Sequence, residues 1–137
     1  LSEWMQASYE TNNKYPEQKI LKSCSGHMVR SKSEMMIDSS LYIHKIPFRY
    51  EDTLVLDDIT LHPDFTVRHP KTGEYFYWEH FGLMDDPVYC KNTFSKLQLY
   101  TTNNIVPDIN LITTYETRER PLSMEKIERI ITEYFIE

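Results

Sequence analysis

The chain has little glycine and cysteine and no long apolar run, and each shortage argues against a class of protein. It holds 3 Gly and 2 Cys among 137 residues, and no apolar run approaches the ~20 residues that a bilayer-spanning helix needs. Cys24 and Cys90 stand far apart without metal-ligand spacing, which argues against a zinc site or a disulfide framework. The first ten residues lack the basic start and apolar middle of a signal peptide. We expect a soluble, cytoplasmic protein without a membrane partner.

Basic residues are also in the minority. The sequence has 15 Lys and Arg against 21 Asp and Glu, for a formal net charge of -6, whereas a nucleic-acid-binding surface usually shows as an excess of Lys and Arg. Any such contact must therefore be local. Arg30 and Lys32, which with His27 gather before a predicted helix, are candidate contacts for a backbone phosphate beside the positive end of that helix. The alternative is that they are solvated surface charges.

The remaining composition is that of a folded domain. The residues are 40% hydrophobic and 13% aromatic, which excludes a disordered or low-complexity chain. The length matches one domain with its own core. We expect an N-terminal extension over residues 1–29, partly helical, followed by a single α/β domain over 30–137.

Helix caps and strand patterns give the predicted element order α-β-β-β-α-β-α. Ser31 is expected to cap a first helix over 32–45, Pro87 to begin a second that runs to about 103, and Ser123 to cap the last. Strands are predicted near 48–56, 60–69, 74–81 and 109–115, with a hairpin turn between the second and third at Pro70 and Gly73. Since a helical crossover favours parallel pairing, the pattern predicts a mixed central sheet flanked by helices.

Two carboxylates interrupt apolar strands. Asp64 stands in "HPDFTV" and Glu79 in "YFYWEHFG", and a carboxylate in a sheet is costly to bury unless it is paired, protonated or bound to a cation. Side chains alternate along a strand, so a hairpin between these strands can place both on one face near the same end. Such a pair can bind one divalent cation.

Two further residues allow more than one interpretation. Glu34 lies on or beside the helix face that packs on the sheet, but it can also complete a capping box by accepting from the Ser31 N–H. Lys96 shares a helix face with Tyr89, Thr93 and Tyr100, although a solvated lysine is the alternative. His80 is expected to point away from Glu79.

Four motifs occur in a fixed order: "RSKSE" at 30–34, "PDF" at 63–65, "WEHFG" at 78–82 and "KLQLY" at 96–100. Over about residues 26–116 the chain resembles the PD-(D/E)XK nuclease superfamily, which has a restriction-endonuclease-like fold. The resemblance implies that Asp64 and Glu79 bind Mg²⁺ or Mn²⁺, that the backbone carbonyl of His80 is a further ligand, and that Glu34 is an accessory acid. Phe81 stands where the superfamily pattern has a lysine, and Lys96 matches members in which this lysine lies on the following helix.

The resemblance implies a metal-dependent nuclease that hydrolyses phosphodiester bonds, with DNA the favoured substrate. One alternative is an inactive nuclease-like module that binds nucleic acid or protein. Another is an ordinary domain in which Asp64 and Glu79 are structural, one of them paired with Arg68 or Lys96. Three acids kept together without a metal would repel one another, which favours the enzyme. We also expect other domains of a larger protein as partners, and a homodimer stays open.

Overall fold

The computed structural model describes residues 1–137 and shows a mixed α/β fold with four α-helices and a mixed central sheet. This confirms the predicted fold class at that level. In chain order the elements are α1 (Ser2–Gln6), a 3-10 turn (Pro16–Gln18), β1 (Leu21–Lys22), β2 (Met28–Val29), α2 (Lys32–Ile43), β3 (Phe48–Tyr50), β4 (Leu54–Leu56), β5 (Ile59–Leu61), β6 (Phe65–Arg68), β7 (Tyr75–Phe81), α3 (Pro87–Thr102), β8 (Leu111–Tyr115), α4 (Met124–Ile131) and a π-helical segment (Thr132–Ile136).

The central sheet has the strand order β3-β6-β7-β8. Strands β3, β6 and β7 pair antiparallel, and β8 pairs parallel with β7 after the crossover through α3. The hairpin turn between β6 and β7 forms as predicted, with Gly73 at φ +76°, a conformation that glycine adopts at little cost. Phe65 faces Trp78 in the register, so the preceding Asp64 lies level with Glu79.

The first two predicted strands were wrong in their extent. The chain leaves the sheet after Tyr50 and returns only at Phe65, and between them β4 and β5 form a separate hairpin. The break begins at Glu51, whose φ of +53° does not fit a strand. The apolar side chains that suggested longer strands instead pack under α3, where they meet a small cluster around Tyr100. These are Leu54, Leu56 and Leu61.

The two faces of the sheet carry different cores. One face packs against α2 and α4 in the main cluster, which includes Phe48, Phe65, Val67, Phe76, Trp78, Ile127 and Ile131. Ile127, Ile130 and Ile131 of α4 are buried on this face. The other face, which carries Tyr77 and Glu79, lies under α3 and its Tyr100 cluster. The candidate site lies on this second face.

Side-chain caps set the helix starts. The side chains of Ser31, Asp86 and Ser123 accept hydrogen bonds from the first turns of α2, α3 and α4. The caps predicted at Ser31 and Ser123 and the start of α3 at Pro87 are thereby confirmed. Helix α2, the first that the sequence predicts, ends at Ile43, two residues earlier than expected, and Lys45 just beyond it has a φ of +59°. A bilayer crossing would need a longer and more apolar helix than any in this fold.

Residues 1–29 pack against the predicted domain. Val29 is fully buried in the main core, with Met5 and Leu21 packed beside it. Residues 23–27, "SCSGH", form the turn of the hairpin between β1 and β2. Arg49 stacks over Trp4 with 4.5 Å between the guanidinium carbon and the ring centroid. The N-terminal segment thus contributes to the same core as the rest of the chain.

Candidate active site

Asp64 and Glu79 meet at one end of the β6–β7 hairpin. The Asp64 backbone N–H points to Glu79 Oε1 at 3.4 Å, and the His80 backbone N–H donates to Asp64 Oδ2 at 2.7 Å. These contacts fix the two carboxylates on neighbouring strands of the same face. The sequence prediction that the hairpin brings them together is therefore confirmed.

Helix α3 presents two donors to the same carboxylate. Lys96 Nζ lies 2.6 Å from Glu79 Oε2, and the Tyr100 hydroxyl donates to that oxygen at 2.7 Å. The predicted helix face of Tyr89, Thr93, Lys96 and Tyr100 does point to the sheet. Lys96 is thus paired with an acid of the site rather than lying in bulk solvent.

The carboxylates open into a cleft of about 230 Å³ between the sheet and α3. Asp64, Glu79 and Lys96 form its charged part. Phe81 lines the wall and stacks on Tyr115 with 5.4 Å between the ring centroids. Tyr89 closes another side, where its hydroxyl accepts from the Gly82 N–H at 3.1 Å. The cleft thus has a charged end and an aromatic wall.

The charges of the cleft do not balance. Burial raises the pKa of Asp64 well above its ordinary value, and repulsion by the Glu79 and Glu34 carboxylates raises it further. Burial lowers the pKa of the Lys96 ammonium, but attraction to Glu79 and Asp64 outweighs burial and leaves that pKa raised. Lys96 therefore stays charged beside Glu79, while the surroundings of Asp64 favour its neutral form. A further positive charge in the cleft would favour the ionised form of Asp64 and balance both carboxylates.

The oxygen atoms that remain free fit a hard cation. Asp64 Oδ1 accepts no hydrogen bond within the chain, and Glu79 Oε1 accepts only the long one from Asp64. No three Asp, Glu, His or Cys side chains gather into a complete metal cage. Two carboxylates completed by water and substrate phosphate are, however, a usual protein environment for Mg²⁺. The donor set at the cleft thus suits Mg²⁺ or Mn²⁺.

Glu34 is near this pair but does not join it. Its Oε1 accepts from the Tyr50 hydroxyl at 2.7 Å and from the Arg30 N–H at 3.0 Å. Only half of the predicted capping box forms: Ser31 Oγ accepts from the Glu34 N–H, but the Glu34 side chain accepts from the Arg30 N–H and not, as expected, from that of Ser31. Burial raises the pKa of Glu34 despite these hydrogen bonds. Glu34 therefore acts on Asp64 through charge repulsion, and its metal-binding role stays a prediction.

His80 points to the opposite face of the sheet, as its strand position predicts. Its Nδ1 lies 2.8 Å from Thr114 Oγ1, and its Nε2 lies 2.5 Å from Glu116 Oε1, which Ser33 also contacts. Burial lowers the pKa of His80 in spite of the nearby Glu116. This network anchors the backbone that supplies an N–H to Asp64. The role of the His80 carbonyl as a metal ligand stays a prediction.

The two candidate phosphate contacts differ in their availability. Arg30 donates to Glu51 at 2.7 Å and to the carbonyls of Lys14 and Tyr15 at 2.7 and 2.8 Å, so its guanidinium holds the N-terminal segment. Lys32 is exposed and takes part in none of the ion pairs. Of the two, Lys32 is the side chain that is free for a phosphate.

Sequence reasoning placed Tyr89 and Tyr100 on the helix face of Lys96 but assigned them no role at the cleft. It passed over Asn92, whose spacing of one helical turn from Lys96 was the available signal. Glu116 and Thr114 gave no comparable signal, because they reach His80 only through the parallel pairing of β7 and β8. Contacts across a sheet cannot be read from a single strand.

Comparisons of the chain with protein-family models, with curated proteins and with solved structures give no match. What the chain does must therefore be argued from its own residues. The cleft between α3 and the β6–β7 hairpin supplies the most specific chemistry for that argument.

Proposed function

We propose that this chain is a divalent-metal-dependent nuclease of the PD-(D/E)XK type that hydrolyses phosphodiester bonds, with DNA the favoured substrate. The observation that carries the proposal is the convergence of Asp64, Glu79 and Lys96 in one cleft, where Asp64 Oδ1 accepts no hydrogen bond and Glu79 Oε1 accepts only the long one from the Asp64 N–H. The residue before β6, strand β7 and helix α3 supply these three side chains. A purely structural ion pair would need only Glu79 and Lys96, and it leaves Asp64 Oδ1 without a partner.

Each residue has a task in this chemistry. Asp64 and Glu79 would hold the cation, which when bound neutralises charge at the phosphoryl group and acidifies water. Lys96, with its side chain 32% exposed, can turn from Glu79 toward a phosphate oxygen and stabilise the charge that develops there. Lys32, free at the start of α2, would contact a neighbouring phosphate. Glu34, whose charge repels that of Asp64, would be the accessory acid.

The topology also supports this assignment. Asp64 directly precedes the first strand of an antiparallel hairpin, Glu79 lies in the second, and a helical crossover with Lys96 leads to a parallel strand. This is the arrangement that the four ordered motifs imply. The hairpin of β4 and β5, inserted before Asp64, is a departure from the expected strand order.

Two observations favour a second candidate, an inactive nuclease-like binding module. Lys96 and Tyr100 together satisfy Glu79 Oε2 without a metal, and the net charge of -6 opposes a broad nucleic-acid surface. Such a module would bind nucleic acid or protein without cutting. Metal binding by the free protein distinguishes the two candidates.

The experiment is cleavage of plasmid and single-stranded oligonucleotide with Mg²⁺ or Mn²⁺, combined with Mn²⁺ calorimetry. We expect Asp64→Asn and Glu79→Gln to lose both cutting and Mn²⁺ binding, and Lys96→Ala to lose cutting by about 100-fold or more while still binding Mn²⁺. Glu74→Gln, at an exposed acid outside the cleft, is the control and should match the native chain. A folded native chain that neither cuts nor binds Mn²⁺ would overturn the proposal.

A further inference from the structure

Tyr100 is a fully buried tyrosine of α3 whose hydroxyl contacts the Glu79 carboxylate at the cleft. Its ring packs with Ile105 and Leu111, and its hydroxyl donates to Glu79 Oε2 at 2.7 Å. A hydroxyl beside an ionised carboxylate oxygen at this distance is the hydrogen-bond donor, because the carboxylate has no proton to give.

The contacts of Glu79 are divided unequally between its two oxygens. Lys96 and Tyr100 both bind Oε2, at 2.6 and 2.7 Å, whereas Oε1 has only the long contact of 3.4 Å with the Asp64 N–H. Asp64 is divided in the same way, since Oδ2 accepts from His80 and Oδ1 is free. Each carboxylate is thus held by one oxygen and offers the other.

The two donors to Oε2 differ in mobility. The Lys96 side chain is 32% exposed at the cleft and can leave Glu79 for a substrate phosphate. Tyr100 has no exposed surface and is fixed in its cluster, so its hydroxyl cannot follow. When Lys96 leaves Glu79, the hydrogen bond from Tyr100 still determines the orientation of the Glu79 carboxylate.

We propose that Tyr100 is a positioning residue that holds Glu79 by Oε2, so that Glu79 Oε1 and Asp64 Oδ1 are the two oxygens that bind the cation. This inference rests on the proposed metal-dependent function. It assigns the ligand atoms and gives a reason for a tyrosine one helical turn after Lys96. Hydrogen bonds from outside the coordination shell commonly change metal affinity by ~10–100-fold.

The test compares Tyr100→Phe with Tyr77→Phe. The first change removes the hydroxyl and keeps the ring, and the second does the same at a half-buried tyrosine that packs on the same cluster outside the cleft. We expect Tyr100→Phe to weaken Mn²⁺ binding by about 10-fold in calorimetry, with kcat recovering at saturating Mn²⁺. Tyr77→Phe should bind Mn²⁺ as the native chain does. Equal Mn²⁺ affinity in both variants and the native chain would overturn the inference.

A metal-free measurement separates this inference from the proposed function. High-resolution crystal structures of Lys96→Ala and of Lys96→Ala with Tyr100→Phe, without divalent ions, show how Glu79 is oriented. We expect Glu79 to keep its Oε2 contact in the single variant and to turn or become disordered in the double variant. An unchanged Glu79 in the double variant overturns the role of Tyr100 even if Mn²⁺ binds. The other informative result is a native chain that binds no Mn²⁺ together with a reoriented Glu79 in the double variant. That result overturns the metal function and the ligand assignment, but it shows that the Tyr100 hydrogen bond determines the orientation of Glu79.

Discussion

The surroundings of the Asp64 carboxylate favour its protonated form. Burial, Glu79 and Glu34 all raise its pKa, and Lys96 and the His80 N–H offset only part of this.

Alternation along two strands was enough to predict that Asp64 and Glu79 meet. Nothing in the local sequence indicated that Lys96 and Tyr100 bind the same oxygen of Glu79, because that contact depends on how α3 lies over the sheet.

The raised pKa of Asp64 predicts a pH dependence of stability in the metal-free protein. An acid whose pKa is higher in the folded state contributes stability below its unfolded pKa, which is lost as pH rises through the folded pKa. Relative to Asp64→Asn, the native chain should therefore lose free energy of unfolding as pH rises from about 4 toward neutrality. Urea denaturation across this range measures the difference.

At pH 7 without metal we expect Asp64→Asn to be more stable than the native chain by about 1 kcal/mol, an ordinary size for a single substitution. Saturating Mn²⁺ should stabilise only the native chain, because a ligand bound by the folded state alone adds free energy of unfolding. Parallel pH profiles for the two proteins would show that the surroundings of Asp64 do not hold its pKa high.

At the scale of elements, the helices could be predicted more accurately than the strands. Caps are local signals, and Ser31, Asp86 and Ser123 each start a helix as expected. Strand ends depend on partners distant in sequence. Tyr50 and Leu54 are close in the chain and both look like strand residues, but Tyr50 pairs with Phe65 in the sheet and Leu54 pairs with Leu61 in a separate hairpin.

The cap of α3 is predicted to matter for the site as well as for the fold. Asp86 accepts from the Val88 and Tyr89 N–H groups at 2.9 and 3.3 Å, so Asp86→Ala should cost about 1 kcal/mol. Fraying of this turn would release Tyr89 from Gly82 at the cleft, and cleavage should fall several-fold. Thermal denaturation and initial cleavage rates below the melting range measure the two effects.

Ser123→Ala is the matched control, because Ser123 caps α4 through the Lys126 N–H on the opposite face of the sheet. It should lose a similar amount of stability and keep the native cleavage rate. If both variants lose activity equally, the effect of Asp86 is one of global stability and not of the cleft.

At the scale of the whole molecule, the N-terminal segment and the charge distribution are linked through Glu51. Glu51 is buried and pairs with Arg30 and with Lys19, at 2.7 and 3.1 Å. Two of the 15 basic residues are thereby committed to holding residues 12–19 against the domain. The sequence showed that Arg30 lies close to Lys32 but could not show that Arg30 is neutralised within the fold.

Arg30 is paired with Glu51 and Lys32 is exposed, so we predict different effects for substitutions of these two basic residues near the start of α2. Lys32→Ala should weaken binding of a DNA oligonucleotide and make the slope of log K against log salt less steep by about 1, the change expected for one lost phosphate contact. Its stability should stay native. Arg30→Ala should instead cost about 2 kcal/mol of stability, because Glu51 keeps a buried charge with one partner fewer, and should leave the salt slope unchanged. Fluorescence anisotropy in Ca²⁺ over a salt series, with urea denaturation of each variant, measures both quantities. A shallower salt slope for Arg30→Ala would mean that Arg30 leaves Glu51 to contact phosphate when the complex forms.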